Sequence, residues 1–414
     1  MLQNIVQTQR TKKDKILIFL IWSVLISAHP FVFNSILGVN YMILLMPTVL
    51  TLLLYSLLIN NFKCNRTLNI LISIQCLFWA IQLGLRSDFS YISNFIQIFI
   101  LTLLLCSISS LSKKEVILQS YIKLMYWMVI AGSFTSILLI LLNIEPIITY
   151  QNHDNRNGYS WILTCTNAYY KFGNTKIIRY SGFFDEPGTL CFFVLYALLI
   201  NKLIFRNKKV ENVLLFLPLL TFSIAHLLLT SIYIFFFKLK KIKHFVITAL
   251  IGIAMVSIIS STQGTPYYRV YQMTLGRLEV TDNGLSGNNR AHLQELATKH
   301  FQEALLFGKG KSYYEDNNIF VGDNIAFIGA YYGIIGYPFI FLLFLYAIYL
   351  SLFTNGKFSF SPLIFKLNIL LLMTYMQRPS VTNVMQSFSL LLYVIAILEY
   401  KKQIDNGNTS YQYY

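Results

Sequence analysis

Residues 213–237 read VLLFLPLLTFSIAHLLLTSIYIFFF, 25 residues without Asp, Glu, Lys or Arg, and Lys238, Lys240, Lys241 and Lys243 follow at once. A helix crosses a hydrocarbon core of about 30 Å with about 20 apolar residues, so this run suffices for one crossing with some to spare. As one crossing it carries the lysine cluster away from Lys202, Arg206, Lys208 and Lys209. As two short helices turning near Ser223 it brings the cluster back beside them. The second reading is preferred, because Arg10/Lys12/Lys13/Lys15, Lys63/Arg66, Lys113/Lys114 and Lys401/Lys402 then fall on the same face. Part of so short a pair is expected to tilt or re-enter rather than span fully.

Outward from this run the pattern repeats. Apolar segments predict helices near 16–33, 41–59, 68–85, 91–111, 121–142, 188–205, 245–261, 324–353, 363–377 and 383–400. With the short pair, they give an all-α polytopic transmembrane bundle of about 12 helices in one domain over residues 1–414. The first helix reads as uncleaved, since Ile26 and Pro30 spoil a cleavage site. Of 414 residues, 56% are hydrophobic and 12% charged, with a mean hydropathy of +0.57. Soluble chains carry about 25% charged residues, so lipid is the expected solvent.

The net charge of +16 is a matter of topology. Sorted by loop, 19 basic and 5 acidic residues lie on one face, and 12 basic and 12 acidic on the other. Basic residues collect on the cytoplasmic side of membrane proteins, so both termini are expected in the cytoplasm and nucleic acid is not an expected partner. Two long loops, 143–187 and 262–323, lie on the opposite face, where function is expected to gather.

The two faces differ in kind as well as number. The lysine-rich face has 3 Arg and 16 Lys; the opposite face has 7 Arg (Arg86, Arg156, Arg179, Arg269, Arg277, Arg290 and Arg378) and 5 Lys. Orientation needs only positive charge, whereas a guanidinium matches phosphate or carboxylate in two-point contacts. Arginine kept against the positive-inside bias points to an anionic ligand. Ordinary loop ion pairs are the competing explanation.

Three segments stand out on that face. In R-Y-S-G-F-F-D-E-P (179–187), Asp185 suits a helix cap and Pro187 a first turn, which leaves Glu186 unexplained and makes it a candidate base. Asn289–Leu306 reads as an amphipathic helix with Leu293, Leu296, Ala297, His300, Phe301 and Ala304 on one side, Arg290 in its first turn and Gly308 ending it. Asp323 and Asn324 open the helix carrying Gly329, Gly333 and Gly336, whose spacing suits close helix packing. His226 is an ionisable residue inside a helix, where a bond to a neighbouring helix competes with a functional role. No metal triad, C-x-x-C pair, phosphate loop, dinucleotide fingerprint or serine-hydrolase elbow is present. A Cys165–Cys191 bridge is conceivable.

Together, R-x-S-G-F-F-x-E-P at 179–187, Arg290 with L-F-G-K-G at 306–310, and D-N-x-x-F with Y-G-I-I-G at 323–336 resemble the O-antigen polymerase (Wzy-type) family, within the polymerase/ligase group. The resemblance implies a metal-independent, cofactor-free, GT-C-like membrane glycosyltransferase of the bacterial inner membrane, with the two long loops in the periplasm. It would join undecaprenyl-pyrophosphate-linked oligosaccharide repeat units into surface polysaccharide, with membrane lipid around it and a chain-length regulator as a possible partner. Arg179, Arg290, Arg277 and Asn324 would bind substrate; Glu186 and Asp323 would be the catalytic carboxylates. An O-antigen ligase shares the donor, but Asp323 where a His is frequent, together with Glu186-Pro187, favours the polymerase. A polyprenyl-oligosaccharide flippase predicts charge along the bundle interior, where only Lys123, Lys366 and His226 stand.

Overall fold

The computed structural model describes residues 11–28, 41–59, 65–86, 88–151, 157–161, 163–172, 175–184, 186–239, 268, 271–272, 276, 280–281, 284–285, 291–321, 325–354, 356–377 and 383–406. It is mainly helical: α1 (Lys12–Ala28), α2 (Tyr41–Leu58), α3 (Arg66–Arg86), α4 (Ile92–Ser109), α5 (Glu115–Leu142), α6 (Pro187–Ile200), α7 (Lys208–Phe216) and α8 (Ile224–Phe237). After these come α9 (Ala291–Glu303), α10 (Lys311–Asp316), α11 (Ile325–Ile340), α12 (Leu342–Leu352), α13 (Pro362–Gln377) and α14 (Val384–Asp405).

Among the described residues, six segments are long and apolar enough to cross a membrane: 66–86, 89–109, 115–142, 187–205, 325–352 and 384–405. Residues 42–58, 224–237 and 362–376 form shorter apolar helices. The expected helix at 245–261 lies outside the described residues. The arrangement is that of a helical membrane protein. Leu190–Ile200 of α6 is buried throughout and most of α14 with it, and these two helices pack together at the centre. Peripheral helices turn Phe19, Leu58 and Leu77 outward at 69%, 82% and 60% exposure. A soluble fold would cover such side chains; lipid accommodates them.

Polar contacts fasten the lysine-rich end. The Asp14 carboxylate accepts from the Thr11 and Ser112 hydroxyls and both their backbone N–H groups, tying the start of α1 to the loop before α5. Glu211, buried in α7, meets Lys238 at 2.9 Å and Lys202 at 3.6 Å, and accepts from the Tyr233 hydroxyl. The run at 213–237 is therefore a helical hairpin: α7 continues through a 3-10 turn at Leu217–Thr221, reverses at Phe222 (φ 51°) and Ser223, and returns as α8 beside Lys202. His226 Nε2 sits 2.9 Å from the Leu215 carbonyl, so this histidine ties the two arms together.

The loop-bearing end holds β structure that apolar periodicity did not disclose. Strands β1 (Ile148–Gln151), β2 (Asn157–Ser160) and β3 (Cys165–Thr166) form an antiparallel sheet. β4 (Tyr169–Phe172) and β5 (Thr175–Ile178) form a hairpin, with Tyr169 opposite Ile178. Glu145 at the foot of the sheet meets Lys171 and Lys176 at 2.9 Å and the Tyr169 hydroxyl, contacts that hold its carboxyl at about 2 against an ordinary 4.5. The conceivable cysteine bridge does not form. Cys165 and Cys191 are not joined to each other and lie beside Ser160 and Thr221 respectively.

Candidate functional site

The two glycine-containing motifs meet. The expected continuous helix over 324–353 is interrupted at Gly333, which adopts φ 70°, ψ −170°, and again at Phe341 between α11 and α12. In an unbroken helix the Ile334 and Ile335 N–H groups would donate to the Ala330 and Tyr331 carbonyls. Here they donate to Leu305 and Leu306 O at 2.8 and 3.4 Å. The two carbonyls thus released accept instead from Lys309 and Gly310 N–H at 2.8 and 3.0 Å. Segment 305–310 supplies two acceptors and two donors to a break that exposes two of each. Buried backbone groups need partners, and this exchange satisfies all four pairs.

Glycine makes the approach possible. A Cβ on Gly333 would lie 2.1 Å from Leu306 O, and one on Gly308 would lie 2.5 Å from Tyr331 C and Tyr332 N. The expectation that Gly329, Gly333 and Gly336 simply pack helices is corrected at Gly333, where the helix is broken. Gly329 does serve close packing, with the Phe301 ring of α9 against it.

Side chains hold the docked segment from three directions. At the end of α3, the Arg86 guanidinium donates to the Phe307 carbonyl at 2.7 Å and to the Gly308 carbonyl, and its stem lies against Gly310. Asp88 accepts from the Ser312 N–H at 3.0 Å and the Ser90 N–H at 2.8 Å. Burial pushes the Asp88 carboxyl up, but these hydrogen bonds outweigh it and hold the group below its ordinary value. Tyr91 OH accepts from the Lys311 N–H at 3.3 Å.

From above comes α9, amphipathic as its periodicity predicts, with Ala297 and His300 buried. His300 Nδ1 lies 3.2 Å from the Tyr314 hydroxyl, which donates to the Ala330 carbonyl at 3.2 Å; the Tyr314 ring stacks on Tyr331 at 4.3 Å. Burial first, then the nearby Lys309 charge, hold the His300 imidazole below its ordinary 6.5. Lys309 pairs with Glu303 and lies over the Tyr313 ring at 4.7 Å.

The first motif occupies a different place. Arg179 follows β5, and its Nε and Nη2 donate to the Thr221 and Phe222 carbonyls at 2.9 and 3.2 Å, capping the turn of the α7–α8 hairpin. Tyr180 is fully buried, its ring over Gly132, its hydroxyl accepting from Ser133 and donating to Leu217 O. The cap position of α6 is Glu186 rather than Asp185, which lies outside the described residues. Glu186 makes no side-chain cap bond; its carbonyl accepts from the Thr189 and Leu190 N–H groups, and Pro187 takes the first helical position as expected.

Of the sequence-predicted site residues, Arg179 and Glu186 are thus placed, at the two ends of one short segment. Arg277, Arg290, Asp323 and Asn324 lie outside the described residues. Sequence reasoning missed Arg86 and Asp88 as partners of 307–312. Their one signal was position, an arginine and an aspartate closing an apolar run on the loop-bearing face. No group of three or more His, Cys, Asp or Glu suited to a metal occurs among the described residues. No family model matches the chain, and no curated protein matches it.

Proposed function

We propose that this protein is an O-antigen-polymerase-like glycosyltransferase of a bacterial inner membrane. It joins undecaprenyl-pyrophosphate-linked repeat units on the periplasmic side, within a GT-C-like bundle of about 12 helices whose termini are cytoplasmic. The observation that carries the proposal is the interlock of 305–310 with 330–335. Two separate motifs quoted for the resemblance make one another's backbone hydrogen bonds, as parts of a single working element should. Broken helices in membrane proteins concentrate where backbone lines a substrate path.

In this reading the bond between the anomeric carbon of the growing chain and its pyrophosphate oxygen breaks. A hydroxyl oxygen of the incoming unit attacks that carbon, its proton passes to a base, and the lipid pyrophosphate leaves. Leaving-group charge needs fixed donors, the role assigned to Arg290 with Arg277 and Arg179. Glu186 and Asp323 are the carboxylates assigned to orient and deprotonate the acceptor, and Asn324 to bind sugar. The two carbonyl bonds that Arg179 makes to the α7–α8 turn fix its guanidinium in place for that role.

The test is a surface-polysaccharide gel from the source strain with the gene deleted, then complemented with wild type or Arg290→Ala. Lipid A core bearing a single repeat unit, restored to a ladder by wild type and not by normally expressed Arg290→Ala, is the expected result. Bare core with lipid-linked polymer accumulating would make the protein a ligase. A ladder unchanged by deletion would overturn both and favour transport of the lipid-linked oligosaccharide.

A further inference from the structure

Beneath the docked segment, a cavity of about 40 Å³ opens between α3, α4, α13, α14 and the second break of the 325–352 helix. Gln75, Trp79, Asn94, Gln97, Tyr375 and Ser387 line it among apolar neighbours, and no lining residue among the described ones carries a charge. One water needs about 10–15 Å³ on this measure, so the space takes about three water-sized groups. Gln75 Nε2 donates to the Phe339 carbonyl at 3.1 Å, which holds the wall at the break. Asn94 is 6% exposed, and its Nδ2 has no hydrogen-bond partner among the described residues. Gln75, Trp79, Gln82 and Arg86 recur at three- and four-residue steps and so share one face of α3. Gln82 is fully buried with its Nε2 also unpartnered, and its Oε1 accepts from Arg86 Nε at 3.4 Å. A stripe of carboxamides thus descends from Arg86 to the cavity.

The geometry points to a binding subsite for the hydroxyl-bearing edge of one neutral sugar. A buried donor left unpaired is costly, so Asn94 calls for an acceptor oxygen. A lining whose described residues carry no charge disfavours an ion, because neither phosphate nor metal finds a counter-charge among them. Carboxamides offer donor and acceptor in one plane, a hydroxyl offers both on one atom, and Trp79 and Tyr375 supply ring surface. The volume admits a hydroxymethyl or a pair of hydroxyls rather than a whole ring. The subsite stands on this geometry; the source of the sugar rests on the proposed function.

Saturation-transfer NMR on the full chain in nanodiscs, with neutral methyl glycosides of glucose, galactose and N-acetylglucosamine as probes, tests it. We expect transfer to at least one glycoside, reduced at least tenfold in both Asn94→Leu and Gln97→Met, with His292→Ala unchanged. Replacing the unpaired amide by an apolar group of like size should leave the thermal midpoint equal or higher, so a folding defect is separable from lost binding. No transfer in wild type, or full transfer retained in both variants, would overturn the subsite and leave a cavity that holds water only. A polysaccharide ladder unaffected by gene deletion, with Asn94-dependent glycoside binding intact, would overturn the polymerase reading and leave the subsite standing.

Discussion

Two arginines on the loop-bearing end perform the same act in unlike settings. Arg179 donates to the carbonyls of Thr221 and Phe222, and Arg86 to those of Phe307 and Gly308. Each caps a turn containing a left-handed residue, Phe222 at φ 51° and Gly308 at φ 65°. The first turn is largely closed: Thr221 is fully buried and Ser223 buried beside it, and Phe222 holds a conformation that favours glycine. The second is open: Phe307 is 39% exposed, glycines at 308 and 333 let backbone meet backbone, and Gly310 admits the Arg86 side chain. The contrast is between a joint largely closed to water and one whose rim water reaches.

The largest expected effect falls where backbone leaves no room. Gly333→Ala places a methyl into Leu306 O and fixes an unfavourable φ, so we expect a loss of more than about 3 kcal/mol in thermal stability, or failure to accumulate. Arg179→Met comes next. It strands two carbonyls in a largely closed joint and should lower stability by about 2–3 kcal/mol, read from the thermal midpoint in detergent. Arg86→Met should cost less overall, about 1 kcal/mol, because water reaches the Phe307 carbonyl. It should nonetheless speed amide exchange at Lys309 and Gly310 by tenfold or more, while the Thr221–Ser223 turn stays protected. Equal global losses for the two arginine variants would erase the distinction drawn between the joints.

The smallest effect is a pH dependence. A histidine held below its ordinary 6.5 in the folded state takes up protons more readily when α9 is released. Docking that is complete above pH 6.5 should therefore weaken as pH falls below it, seen as faster exchange in 297–314. His300→Gln should abolish that dependence.

Much of the helical layout was legible because apolar run length and basic clusters obey the bilayer directly. The turn near Ser223 followed from Lys238 having to return to Lys202, and the amphipathic stripe of α9 from its three- and four-residue steps. The break at Gly333 was not legible. Its cause is a segment ending more than twenty residues earlier, and glycine at helix-packing spacing reads the same whether the helix is packed or interrupted. The sheets over 148–178 escaped because their strands are only two to four residues long and carry polar side chains beside aromatic ones. Arg179 and Glu186 were found as residues of interest, but the carbonyls that Arg179 engages are set by the hairpin's fold rather than by local sequence.

The interlock of 305–310 with the broken helix is most directly tested by cross-linking. Leu305 and Ile334 are both half exposed and joined by a 2.8 Å backbone hydrogen bond, so cysteines at the two positions tolerate substitution and lie side by side. In a background lacking the native cysteines, we expect Leu305→Cys/Ile334→Cys to form a disulfide rapidly in native membranes under mild oxidant, with Leu305→Cys/Leu345→Cys remaining reduced. A Leu305→Cys/Ile334→Cys protein that stays reduced in membranes, while folded and abundant, would contradict the docking of the two motifs on one another.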